Sequence, residues 1–256
     1  MSSPNTQTLT LSDPQSLQNL AVLAHKALKL DAQALIRVRL HDDHTDSNLA
    51  RLWATTPFGP IGCRTMAIGA SPDDAVMGAE TVVKSAVTAK DGSAPSAGHP
   101  VTLDAGTSLA ASWPGSLPPE DGWMLADFVP AMVFRKLEKQ ARAEATRSSG
   151  PLGLPTSLLD QVVLQVESRG DSDGVIGGSA DAGTDTGTNH VADGVASSTS
   201  AEITMRDVFA LCALGFIPAE PDINEPVRIS TRGRWHRLDG RFGSVYASEG
   251  FGVIPV

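Results

Sequence analysis

Two histidines and three aspartates fall within the six residues HDDHTD, 41–46. His41, Asp43 and His44 carry donor types that a divalent metal takes, and His41 and His44 have an HxxH spacing that suits a metal on a helix. The flanking sequence does not supply that helix. ALIRVRL (34–40) and LARLWATT (49–56) alternate as strands do, so HDDHTD is expected to link a hairpin. A turn gives the two rings no fixed shared face, and aspartates in turns hydrogen-bond the local backbone. No CxxC pair or second histidine pair offers the remaining ligands of a zinc site. The turn reading is preferred: no metal and no cofactor is expected, with His41, Asp43 and His44 the weak candidates.

A second constellation is VRISTRGRWHRLDGRFGSVYA, 227–247, which holds five arginines and one aspartate in a chain of net charge −9. Asp239-Gly240 is a type I′ turn signal. A turn there places Trp235, Phe242 and Tyr246 on one side of a hairpin and Arg234, His236 and Arg241 on the other. In the structural reading, the aromatic side packs on a helix over 206–216 and the arginines keep the other side wet. In the functional reading, Arg234, His236, Arg237 and Arg241 bind nucleic-acid phosphates or another anion. The structural reading is preferred, because 206–216 is apolar nearly all round and does not resemble a groove-reading helix.

Other chemistry finds little support. No GxGxxG follows a strand, and no GxxxxGK[ST], GxSxG or HExxH occurs. The adjacent carboxylates Asp42–Asp43 and Asp73–Asp74 are explained by a turn and a helix start. Cys63 and Cys212 each lie in an apolar run and read as buried thiols.

The elements that would position these residues start with a helix at 14–29, capped by Ser12 or Asp13, with Pro14 in its first turn. Strands follow at 34–40, 49–56 and 61–69, the last two joined by the turn PFGP. A second helix is expected to open at Ser71-Pro72. Residues 91–120 read as a Gly/Ser/Pro connector with a short strand near VTLDA, and a third helix runs over 130–147. Strands at 160–168 and 201–205 flank the 170–200 insertion. That insertion holds 21 Gly, Ser, Thr and Asp among its 31 residues, with no Lys, Arg or aromatic. Its composition offers too little apolar surface to offset ordering, so disorder is expected. It lacks the closing glutamate and flanking helices of a calcium loop. The fold class expected is α+β, with two small antiparallel sheets each covered by helices. Residues 1–112 would form an α-β-β-β-α N-terminal lobe, and 113–256 a lobe of helix plus β-meander.

Hydrophobic residues make up 41% of the 256 positions and aromatics 5%, an ordinary globular composition whose core leans on Val, Leu, Ile and Ala. The acidic balance argues against broad nucleic-acid or membrane binding. No membrane span or basic, apolar leader is read, and a cytoplasmic location is expected. LWATTPFGPIGCRTMA, LLDQVVLQV, FALCALGFI and RWHRLDGRFGSVYA together resemble an uncharacterised protein family of high-GC Gram-positive bacteria. The resemblance implies a shared fold and assigns no activity, substrate or site. With no catalytic constellation legible, the expected role is non-enzymatic protein–protein binding. Nucleic-acid binding through the C-terminal hairpin is the first alternative, and an enzyme with a site hidden from sequence the second.

Overall fold

The computed structural model describes residues 6–40, 49–92, 99–148, 155–167 and 200–248. His41, Asp43, His44 and nearly all of the 170–200 insertion lie outside the described residues. The first half runs β1 (Thr6–Leu11), α1 (Pro14–Leu30), β2 (Leu35–Leu40), β3 (Leu49–Ala54), β4 (Ile61–Ala67), β5 (Gly69–Ser71), β6 (Asp74–Gly78), α2 (Ala79–Gly92) and β7 (Val101–Thr107). The second runs β8 (Met124–Pro130), α3 (Ala131–Ser148), α4 (Thr156–Leu159), β9 (Val162–Glu167), β10 (Ser200–Thr204), α5 (Met205–Ala213), β11 (Pro226–Arg232), β12 (Trp235–Gly240) and β13 (Gly243–Ser248).

The α+β reading with two small sheets is overturned. One antiparallel sheet of eight strands, in the order β6-β2-β3-β4-β13-β12-β11-β8, runs through both halves, beside smaller sheets β5-β1-β7 and β10-β9. The halves are joined where β4 pairs with β13, in the register Tyr246↔Ile61, Val245↔Gly62 and Ser244↔Cys63. Gly62 makes this seam possible: a Cβ there would collide with the Leu214 side chain and meet Phe216 at 2.9 Å. The loop after α5 can therefore lie directly on the joint.

Period-2 alternation gives the sheet two apolar faces. On the inner face Ile36, Leu52, Leu238 and Val245 join one core with Leu20 of α1, Val82 of α2, Phe134 of α3 and Phe209 of α5. On the outer face Trp53, Ile61, Cys63 and Tyr246 form a second cluster with Trp113. Residues 108–123, read from sequence as the end of the 91–120 connector and the start of the approach to a helix, are thus a strap across the outer face. Trp53 and Trp123 both meet the Tyr246 ring edge-on, at 5.0 and 5.5 Å.

Both edges of the large sheet are protected. At β6, the Gln7 amide donates to Val76 O at 2.8 Å and accepts from Val76 N at 3.0 Å, standing in for a neighbouring strand. At β8, the Asp127 carboxylate accepts the following N–H of Phe128 at 2.7 Å, and the pairing with β11 shifts register between Ile229 and Ser230. A side-chain charge and a bulge both discourage further pairing.

Charge is divided between the layers. All six lysines (26, 29, 84, 90, 136 and 139) lie on α1, α2 and α3. Together with α5 these helices carry ten Lys and Arg against five Asp and Glu, in a chain of net −9. Among the described residues no helix is long and apolar enough to cross a membrane.

Candidate functional site

At the seam the strap turns away from the sheet and leaves a cleft of about 550 Å³. Its walls come from both halves. The turn after β3 supplies Phe58 and Pro60, and the start of β4 Ile61; the strap supplies Pro114 and Ser116; the ends of β12 and β13 supply Trp235, His236 and Tyr246. Thr204, Arg206 and Asp207, at the start of α5, complete it. Local chemistry explains each wall. TTPFGP and SWPGS are Pro/Gly turns, and Thr204 with Asp207 three residues on begins a helix ahead of an apolar run.

The polar centre is the His236–Asp207 pair, with Nε2 to Oδ1 at 3.0 Å. His236 is 6% exposed and Asp207 1%. The second carboxylate oxygen of Asp207 accepts the Thr204 N–H at 2.8 Å and the Thr204 hydroxyl at 2.7 Å. Both Asp207 oxygens are therefore engaged in fastening α5 to β12. Arg206 is anchored as well, donating to Asp160 at 2.7 Å and to the Phe58 carbonyl at 2.9 Å. What remains open to a ligand is Pro114 and part of the Trp235 ring, with Glu202 and Arg234 exposed at the edge and Phe58, Pro60 and Tyr246 buried beneath them.

The hairpin residues singled out from sequence are not on one side. β12 and β13 pair Trp235↔Ser248, Arg237↔Tyr246 and Gly240↔Gly243, so the turn is Arg241-Phe242, not Asp239-Gly240. Packing also runs opposite to expectation: His236, Leu238 and Val245 face the helices, while Trp235, Arg237 and Tyr246 face outward beneath the strap. Arg234, exposed, and His236 both line the cleft. Arg237 points to the outer face, where it donates to Asp239 at 2.5 Å and lies 5.4 Å from the Tyr246 ring centre. Arg241 sits in the turn at the far end, over the Phe242 ring. The contributions of Phe58, Pro60, Pro114 and Asp207 were missed from sequence. A T-x-x-D helix start was legible; which turns would meet it was not.

Neither thiol is suited to reaction. Cys63 and Cys212 are free and buried. Burial pushes Cys63 up to about 12 and raises Cys212 as well. Among the described residues, no group of three or more His, Cys, Asp or Glu could hold a metal ion.

This architecture is similar to that of bacterial sliding clamps. The DNA polymerase sliding clamp of Bacillus subtilis aligns over 98% of this chain and 66% of its own, at 12% identity and a TM-score of 0.51. A provisionally assigned DNA polymerase III beta subunit from Eubacterium rectale aligns over 96% and 66%, at 10% identity and a TM-score of 0.53. The likeness is one of fold, and the chain spans 66% of the length of these clamps. No curated protein matches the sequence. Residues 118–252 match the model of a domain of unknown function, DUF8185, and the chain belongs to that family. Residues 4–113 match a second domain of unknown function, DUF8010.

Proposed function

We propose that this chain is a non-enzymatic binding protein whose seam cleft receives a segment of a partner protein. The observation that carries this reading is the cleft itself, where an exposed proline of the strap, Pro114, and the part-exposed Trp235 of β12 stand over a buried apolar floor drawn from both halves. The His–Asp pair within it is committed to structure. Aromatic surface next to arginine is the chemistry of protein interfaces. The clamp fold supports the reading, and the tie of those clamps to DNA polymerase makes proteins that work on DNA the first partners to try. The same proposal keeps two lobes, 1–112 and 113–256, and a cytoplasmic location. A photo-crosslinking residue at Ser116, in the strap, tests it in the living host. Discrete protein adducts that vanish on Trp235→Ala are expected; the same adducts from Thr65, exposed on the outer face, would remove the cleft from consideration.

A second reading, binding of nucleic acid, is favoured by the basic helical layer more than by the hairpin. Phosphate contacts release counterions, so such binding would fall steeply with salt. An anisotropy titration of duplex DNA at low salt, with Lys136→Ala/Lys139→Ala beside Arg234→Ala/Arg241→Ala, separates the helices from the hairpin. No affinity at low ionic strength would end this reading.

A further inference from the structure

A groove of about 380 Å³ runs between α1 and α2, on the helical layer and apart from the seam cleft. Its floor is Ala21, Val22, Val83, Ala86 and Val87, and its rim is Gln18, His25, Lys26 and Lys90. Among the described residues no acidic side chain lines it. Val87, 54% exposed, carries the apolar floor out to the surface. At one end Lys90 donates to Gln18 at 2.6 Å.

Lys26, by contrast, makes no hydrogen bond or ion pair with any described residue. It is half-buried, and its ammonium packs against the backbone of Gly215, whose positive φ of 69° leaves no side chain in the way. Arg64 and Arg135 lie nearby, but each is tied down: Arg64 to the Phe242 carbonyl at 2.7 Å, and Arg135 to the carbonyls of Ile217 and Pro218 at 2.7 and 2.8 Å. Burial first, and then these two guanidiniums, hold Lys26 below its ordinary value. A partly desolvated cation beside two guanidiniums, with no carboxylate among the described residues bonded to it, is a site of under-compensated charge.

An apolar floor between cationic ends selects its occupant. We infer that the groove takes a short segment of a partner protein bearing aliphatic side chains flanked by carboxylates. The aliphatics would cover Ala21, Ala86 and Val87, and the acids would reach Lys26 and Lys90. A nucleic-acid backbone would satisfy the lysines but leave the floor uncovered. A second copy docked groove to groove would bring like charge against like charge.

Methyl NMR of the full chain, with labelled Ala and Val, reads the groove directly. The probes are a twelve-residue peptide of Leu flanked by Glu, its Leu/Lys counterpart, and a short DNA duplex. The Leu/Glu peptide should shift the methyls of Ala21, Val22, Val83 and Val87, and its Leu/Lys counterpart should not. Lys26→Glu with Lys90→Glu should weaken the Leu/Glu peptide on the order of tenfold. Val87→Asp, at an exposed position that folding tolerates, should weaken it too, with Val227 and Val245 methyls unmoved as the check on fold. Four still methyls, an equal response to the duplex, or shifts that follow protein concentration alone would each overturn the inference.

Discussion

Replacing Asp207 with alanine tests the joint on which the cleft is built. Asp207 is 1% exposed and accepts three hydrogen bonds, from the Thr204 N–H, the Thr204 hydroxyl and the His236 ring at 2.8, 2.7 and 3.0 Å. Alanine removes the acceptor at the start of α5, worth about 0.5–2 kcal/mol where helix ends are capped by side chains. It also strips a buried imidazole of its partner, which costs about 1–3 kcal/mol. Together the loss is on the order of 2–5 kcal/mol, and at this chain length each kcal/mol lowers Tm by roughly 2–4 °C. Asp207→Asn keeps an acceptor for Thr204 and should fall between wild type and alanine. Urea unfolding followed by tryptophan fluorescence measures both, and a cycle with His236→Phe isolates the His–Asp coupling. A loss below about 1 kcal/mol for Asp207→Ala, with no coupling to His236, would refute the network, since a buried bonded carboxylate cannot be removed that cheaply.

Three further outcomes follow from other parts of the fold. Gln7→Leu should destabilise by about 1–3 kcal/mol in denaturant titrations, because Val76 N–H loses its partner while Val76 O keeps the Leu109 N–H at 2.9 Å. Cys63, raised to about 12 by burial, should resist iodoacetamide at pH 8 until the chain unfolds. Because its folded value is raised, the stability it contributes should be lost as pH climbs past the ordinary thiol range. Asp13, which caps α1, is held below its ordinary value by hydrogen bonds from Ser16. Asp13→Ala should cost about 0.5–2 kcal/mol near neutrality. That difference from wild type, present above the ordinary carboxylate value, should close as pH falls through the lower folded value, read by thermal melts across pH.

The elements that local pattern controls were legible. The stripe Leu17, Leu20, Ala24 and Ala27 marks α1, and Phe134, Leu137, Ala141 and Ala145 mark α3. Where tertiary contacts decide, sequence reading fails. Asp74–Gly78 looked like the first turn of a helix, yet it pairs with β2 as an edge strand and α2 begins at Ala79. Met124–Pro130 was read into the approach to a helix, although it closes the other edge of the sheet. Asp239-Gly240 lost the hairpin turn to Arg241-Phe242 because Phe216 intervenes. Its carbonyl accepts the Phe242 N–H at 2.9 Å, a Cβ at Gly240 would meet that carbonyl at 2.6 Å, and a Cβ at Gly243 would meet the Phe216 ring at 2.6 Å. The strap escaped notice because proline and glycine report turns, not what Trp113 and Trp123 cover. For the site, Arg234 and His236 do reach the cleft, whereas its rings come from positions far apart in sequence that only the β4–β13 pairing brings together.

The most direct measurement for the seam cleft is calorimetric titration of the partner found by crosslinking at Ser116 against wild type, Trp235→Ala and Lys26→Glu. Trp235 lies in the cleft and Lys26 in the separate α1–α2 groove. If the cleft is the binding site, Trp235→Ala should weaken binding about tenfold or more, as loss of a central aromatic anchor does. Binding to wild type should show the negative heat-capacity change of buried apolar surface. Unchanged affinity for a folded Trp235→Ala variant would contradict a partner seated in the cleft.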